Sequence, residues 1–145
     1  MKTATLNEAA IKALAQKWYR LLDVHAPMVD VLPLLSDQPE MVFPEVTLNT
    51  LAGFEGWFQR VIRIFFDEVH TLKVCDVTIA GDEAKVKIVV EWQASVWNPP
   101  EATSKRIKLD ADQDWTVRLS PRTGELVVSR YVVNSLSYHP GSAKL

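Results

Sequence analysis

From Ala84 to Trp97 one parity of the chain is wholly apolar. Val86, Ile88, Val90, Trp92, Ala94 and Val96 alternate with a set in which Lys85, Lys87, Glu91, Gln93 and Ser95 are polar. A period of two over that length predicts a long strand with one buried face. Three further segments read the same way: His70 to Ile79, Ser104 to Leu119 and Glu125 to Leu136. The turns between them, Ala80-Gly81-Asp82-Glu83, Asn98-Pro99-Pro100-Glu101 and Ser120-Pro121-Arg122-Thr123-Gly124, carry the residues that tight reversals need.

The first half of the chain has a helical period instead. Thr5 and Glu8 are spaced as a capping box, and the helix they open runs to about Asp23, with Ile11, Leu14, Ala15, Trp18, Leu21 and Leu22 on one stripe. Pro27 suits the first turn of a shorter helix over Met28 to Leu35. Glu40 to Val46 reads as a strand that Pro44 confines to an edge or a bulge. After Gly53, the residues Phe54, Trp57, Phe58, Val61, Ile62 and Phe65 give the strongest helical stripe, ending near Phe66. Ile64 and Phe66 fall off it and need another wall or a second subunit. The expected architecture is α+β: three N-terminal helices held in the concave face of a strongly curved, mainly antiparallel sheet, a cone enclosing an apolar hollow.

Charge pairing suggests a register. Setting Trp97 against Ala102 places Glu91 opposite Lys108, Lys87 opposite Asp112 and Lys85 opposite Asp114, whereas a shift of two residues sets Glu91 against Asp110. In the favoured register Gln113 is the one polar group among Ile107, Leu109, Ala111 and Trp115. Setting Leu119 against Glu125 then brings Tyr131 beside Gln113, with Ser129 and Ser135 on the same inner face. The outer face carries Val89, Val128 and Val132, which a second copy of the sheet would cover, so a homodimer through that face is expected.

Composition narrows the function. A chain of 145 residues, 48% hydrophobic and 23% charged, suits a single domain spanning 1–145, and a net charge of −2 with interspersed signs argues against nucleic acid as a partner. The single Cys75 and an N-terminus without a continuous apolar core point to the cytoplasm. No apolar run approaches the roughly 20 residues that span a bilayer, so no membrane segment is expected. No metal-ligand spacing, phosphate loop or dinucleotide motif is present, and no cofactor or metal is expected. Cys75 reads as a small buried filler.

The order of elements, with Gln16-Lys17-Trp18-Tyr19 in the first helix, Gly53-Phe54-Glu55-Gly56-Trp57 opening the third, His70-Thr71-Leu72 starting the long strands, and Asp114-Trp115-Thr116-Val117 before Gly124-Glu125-Leu126-Val127, resembles the nuclear transport factor 2-like superfamily. That group includes ketosteroid isomerases, scytalone dehydratase and SnoaL-like polyketide cyclases. The isomerases' helix-one tyrosine is matched by Trp18, and their general base falls at Pro44 with Glu45 adjacent. Their second oxyanion donor falls near Gln113 or Trp115, so isomerase chemistry of that type is not implied. Scytalone dehydratase has a histidine where the sheet begins, and His70 stands in that place. Its second histidine and its aspartate have no evident match.

An imidazole changes charge near neutrality, which makes His70 a candidate proton carrier; a strand-end histidine bonded to backbone is the plainer alternative. Trp18, Phe43, Trp57, Phe58, Trp92, Trp115 and Tyr131 are candidates to line a slot for a small, largely apolar organic molecule, with Gln113 orienting it; packed core is again the alternative. His25 and His139 read as solvated, and Glu45 as an exposed carboxylate. Two functions stay open: a cofactor-free acid–base isomerase, dehydratase or cyclase using His70, or a non-catalytic ligand-binding or dimerisation module on the same frame.

Overall fold

Helix α1 (Glu8–Asp23) starts at Asn7, whose side-chain oxygen accepts the Ala10 amide at 2.8 Å. Thr5 was the expected cap, but Asn7 has the extended backbone a cap needs, and Thr5 instead receives the Asn7 side-chain amide at 2.7 Å. The computed structural model describes residues 5–145. At its other end α1 closes with the paired bonds of a left-handed cap: the His25 amide reaches the Leu22 carbonyl at 3.2 Å, and the Ala26 amide reaches Leu21 at 3.0 Å.

The expected second helix is shorter than its pattern. Only Met28–Val31 is α-helical (α2), followed by a 3-10 turn over Leu32–Leu34. Strand β1 then runs Leu35–Val42, so Ser36 to Pro39 belong to a strand rather than to a helix stop. Parallel pairing with the last strand overrides the local turn signals. Pro39 sits where that pairing is irregular, and Pro44 lies outside strands altogether, between β1 and the short β2 (Thr47–Leu48). Helix α3 (Leu51–Ile64) is capped by Thr50, whose hydroxyl accepts the Gly53 amide at 2.9 Å.

Four long strands complete the sheet: β3 (Phe65–Ala80), β4 (Glu83–Val96), β5 (Lys105–Leu119) and β6 (Leu126–Tyr138). The spatial order is β2-β1-β6-β5-β4-β3, antiparallel except where β1 meets β6, and the sheet is not closed. The inner face of β4 and β5 packs on α1 and α3: Trp18, Phe54, Phe58, Ile88, Leu109 and Trp115 are all essentially inaccessible. Burying a large apolar side chain is worth about 1.5–3 kcal/mol, so each of these contacts helps to hold the layers together. No helix among the described residues is long and apolar enough to cross a membrane.

The β4/β5 register is the alternative the charge pattern disfavours. Val96 pairs with Lys105, because Trp97 to Ser104 form the loop, and Glu91 therefore faces Asp110. A slip of two residues keeps every side chain on its own face, so the inner row is as expected while the charge pairs change. Outside, Lys73 on β3 lies 3.1 Å from both Asp110 oxygens and 3.9 Å from Glu91, and His139 Nε2 is 2.8 Å from Asp110. Those non-local partners compensate the like charges. Lys87 still reaches Asp112, diagonally, and lies 3.6 Å from Asp114.

At the next hairpin Leu119 pairs with Leu126, one residue from the expected match, and Gly124 takes the positive φ of the turn. An odd slip reverses faces. Val128 thus packs inward opposite Val117 and leaves the outer face, which removes one of the three valines behind the expected dimer surface. A bulge at Thr116/Val117 restores the parity, setting Tyr131 opposite Trp115 rather than Gln113, and a second bulge sends Ser135 outside against Asp112. Ser129 bonds the Thr116 carbonyl at 3.3 Å and does not reach Gln113. Phe66 is exposed on the outer face, and Ile64 is half-covered at the rim.

Candidate active site

Between α3 and the inner face of β3 to β6 lies an apolar cavity of about 370 Å3. Phe43 and Trp57 stack in its lining, ring centroids 4.1 Å apart, and Trp57 donates its indole hydrogen to the exposed Glu45 at 3.0 Å. Phe58, Trp92, Leu109 and Tyr131 form the walls. Few polar groups reach it: Gln113, His70 and Glu68 at depth, with Glu45 and Arg60 toward the α3 side.

His70 is held from two sides. Its Nδ1 lies 2.5 Å from Asp23 Oδ1, and its backbone amide donates to Asp23 Oδ2 at 3.0 Å. A carboxylate only accepts, so Nδ1 carries a hydrogen in this contact, and in the neutral ring the lone pair is therefore on Nε2. No protein group among the described residues hydrogen-bonds Nε2, and His70 lines the cavity. Tyr19 stacks on the imidazole at 4.9 Å with planes inclined by 23°, fixing the ring plane. Asp23 is the last residue of α1, so the dyad joins a helix end to the start of the long sheet, 47 residues apart.

Gln113 is oriented by its neighbours. Its Oε1 accepts from the Tyr19 hydroxyl at 2.7 Å and from the Trp115 indole at 3.0 Å. With the oxygen occupied twice, only its amide hydrogens remain as donors, and the Tyr131 hydroxyl is within reach of one of them. Burial pushes the Tyr19 phenol well above its ordinary value and raises that of Tyr131 too, so both remain neutral.

A second pair escaped the sequence pattern. Glu68 is buried, its side chain 4% exposed, with Oε2 against His25 Nε2 and Oε1 accepting from the Trp92 indole at 3.0 Å. Alternation alone points Glu68 inward with His70, but a carboxylate beside a helix end reads as solvated. A bulge between Phe66 and Val69, with Asp67 at φ +51°, sets the residue in place. Arg106 clamps the bulge, donating to the Asp67 carbonyl at 2.7 Å.

No family model matches the sequence, and no curated protein is similar to it. Among solved structures, the hexachlorocyclohexane dehydrochlorinase LinA-type3 from Novosphingobium barchaimii is 15% identical with a TM-score of 0.74, covering 94% of this chain and 92% of that one. A protein from Novosphingobium aromaticivorans provisionally assigned as a scytalone dehydratase is 16% identical with a TM-score of 0.70, covering 94% and 90%. Another from the same organism, provisionally assigned as an aromatic ring hydroxylase, is 17% identical with a TM-score of 0.76, covering 90% and 92%. The chain has the nuclear transport factor 2-like cone fold.

Within that cone the candidate residues separate into two layers. His70, Phe43, Trp57, Phe58, Trp92, Gln113 and Tyr131 line the cavity. Trp18 and Trp115 do not: they pack edge to face at 6.3 Å behind its wall, in the narrow end of the cone. An alternating pattern assigns a face but no depth along the cone, so it cannot separate wall from filler. His25 and His139, expected in solvent, are both carboxylate-paired. Glu91, Asp110 and His139 offer ligand atoms within 4.8 Å of one another on the outer face, a grouping no sequence spacing signals. Lys73 already supplies a positive charge there. Burial raises the Cys75 thiol, which removes any case for an activated nucleophile.

Proposed function

We propose that the cone binds a flat, largely apolar organic molecule and removes a proton from it, with His70 as general base, in cofactor-free chemistry of the isomerase or dehydratase kind. The observation that carries this reading is the Asp23-held imidazole with an unpartnered Nε2 in an apolar cavity. Asp23 fixes the tautomer and stabilises the imidazolium that forms, Tyr19 fixes the ring plane, and Gln113 is placed to donate to a ligand oxygen. Likeness to a dehydrochlorinase and to a provisional dehydratase supports the class, since both names describe removal of HX from a neighbouring pair of carbons. The carboxylate partner of His70, taken with the apolar cavity that the imidazole lines, favours catalysis over simple binding. We carry a homodimer through the outer face only as a secondary reading, now on Val89 and Val132.

The test uses 1-indanone, a flat ring ketone with an acidic hydrogen beside its carbonyl, in D2O. The protein is expected to speed deuterium entry at that carbon by about 100-fold or more over buffer, and His70→Ala to abolish the gain while indanone still binds. No acceleration by the wild-type protein would refute the reading.

A further inference from the structure

We propose that Glu68 and His25 form a proton relay into the cavity, Glu68 being a second catalytic group that hands a proton to the ligand's oxygen and His25 its link to solvent. This rests on the acid–base reading above and gives it a substrate class: ring carbonyl compounds with an acidic neighbouring C–H.

Three observations converge on the pair. Glu68 is on the cavity wall whereas His25 is not; His25 lies behind Phe58, edge to face at 6.5 Å, with its side chain 26% exposed. The pair therefore runs from the cavity lining at Glu68 to the partly exposed ring of His25. Second, His25 and Asp67 are the non-glycine residues with left-handed backbone among those described, at φ +52° and +51°. One is a member of the pair and the other sets the bulge that places Glu68. A helix cap of this geometry ordinarily takes glycine, so the imidazole at His25 stands against the local backbone preference. Third, Trp92 and His25 use one lone pair on each Glu68 oxygen, and a carboxylate offers about four, so a ligand atom can still be met.

The step balances. The C–H bond beside the carbonyl breaks, its proton going to His70 Nε2 and its electron pair becoming the enol double bond. The former carbonyl oxygen takes the proton shared by Glu68 and His25, giving a neutral enol, and His25 recovers a proton from solvent. The hydrogen on His70 Nε2 then exchanges with solvent, and in the reverse step the carbon takes that deuterium from His70 while the enol returns its O–H proton to the pair and His25 releases one to solvent.

The indanone assay decides it through the pH profile. The wild-type rate is expected to be bell-shaped, because the reaction needs one group free to accept a proton and another still holding one to give. Glu68→Gln is expected to cut the maximum about 100-fold and remove the falling limb, with indanone affinity within threefold. His25→Gly suits the cap backbone and should fold; it is expected to move the falling limb to lower pH by at least one unit, and added imidazole to move it back. If Glu68→Gln keeps the bell and a rate within threefold of wild type, or imidazole leaves the His25→Gly profile unmoved, the relay is refuted while His70 catalysis stands. If wild-type protein gives no exchange, both readings fall.

Discussion

The two faces of one sheet hold the same chemical groups in opposite circumstances. On the inner face His70 meets Asp23 and His25 meets Glu68; on the outer face His139 meets Asp110 beside Glu91. Of the inner carboxylates, Glu68 is nearly inaccessible and, like His70, lines an apolar hollow where water screens charge poorly. The outer ones share Lys73 and face solvent. A histidine–carboxylate contact is thus not informative alone: what sits across from the free ring nitrogen decides its use.

The largest expected effect separates the faces by activity. Asp23→Asn leaves the shape of the dyad but lets the amide favour the wrong tautomer, and indanone exchange is expected to fall by about 10²–10⁴-fold. The outer counterpart, Asp110→Asn, is expected to leave that rate within twofold. Equal losses from both variants would break the distinction.

Next come the partners of buried groups. Trp92→Phe removes the donor to Glu68 Oε1 while keeping an aromatic wall, and is expected to cost about 1–3 kcal/mol in urea unfolding. Lys73→Met, on the exposed network, is expected to cost under about 1 kcal/mol, the usual worth of a surface ion pair. A larger loss from Lys73→Met would mean that the like-charged Glu91/Asp110 register depends on it.

The smallest effect is a pH dependence. Burial pushes the Asp110 carboxyl up, but its bonds from His139 and Lys73 prevail and hold it below the ordinary range. Asp112 is lowered by Lys87 and Asn134 against a smaller effect of burial. Depressed carboxyls add stability above the unfolded value of about 3.9, and that contribution disappears as pH falls through the folded values. Stability is expected to decline below about pH 4, and less steeply in Lys73→Met. Identical acid profiles for the two proteins would remove Lys73 from the network's role.

The contrast also explains what could be read along the chain. Period-two alternation from Ala84 to Trp97 and the stripe from Phe54 to Phe65 are local, and they fixed the layers, the inner faces and the place of His70. Registers are not local: Lys73 and His139 make Glu91 opposite Asp110 acceptable from outside the hairpin, and the slip at Leu126 turned Val128 inward. The dyad partner Asp23 reads as the polar last residue of a helix, 47 positions from His70. Glu68 was hidden for a different reason: its parity with His70 points it inward, but the bulge that seats it and the histidine in a glycine-type cap that pairs with it leave no periodic trace.

The most direct measurement is the tautomeric state of His70 by 15N NMR, with and without 1-indanone. The hydrogen is expected on Nδ1 in the neutral ring, with a bare Nε2 whose resonance shifts when the ketone enters, and with that preference lost in Asp23→Asn. A ring protonated on Nε2, or one indifferent to the ketone, would contradict His70 as the base of the cavity.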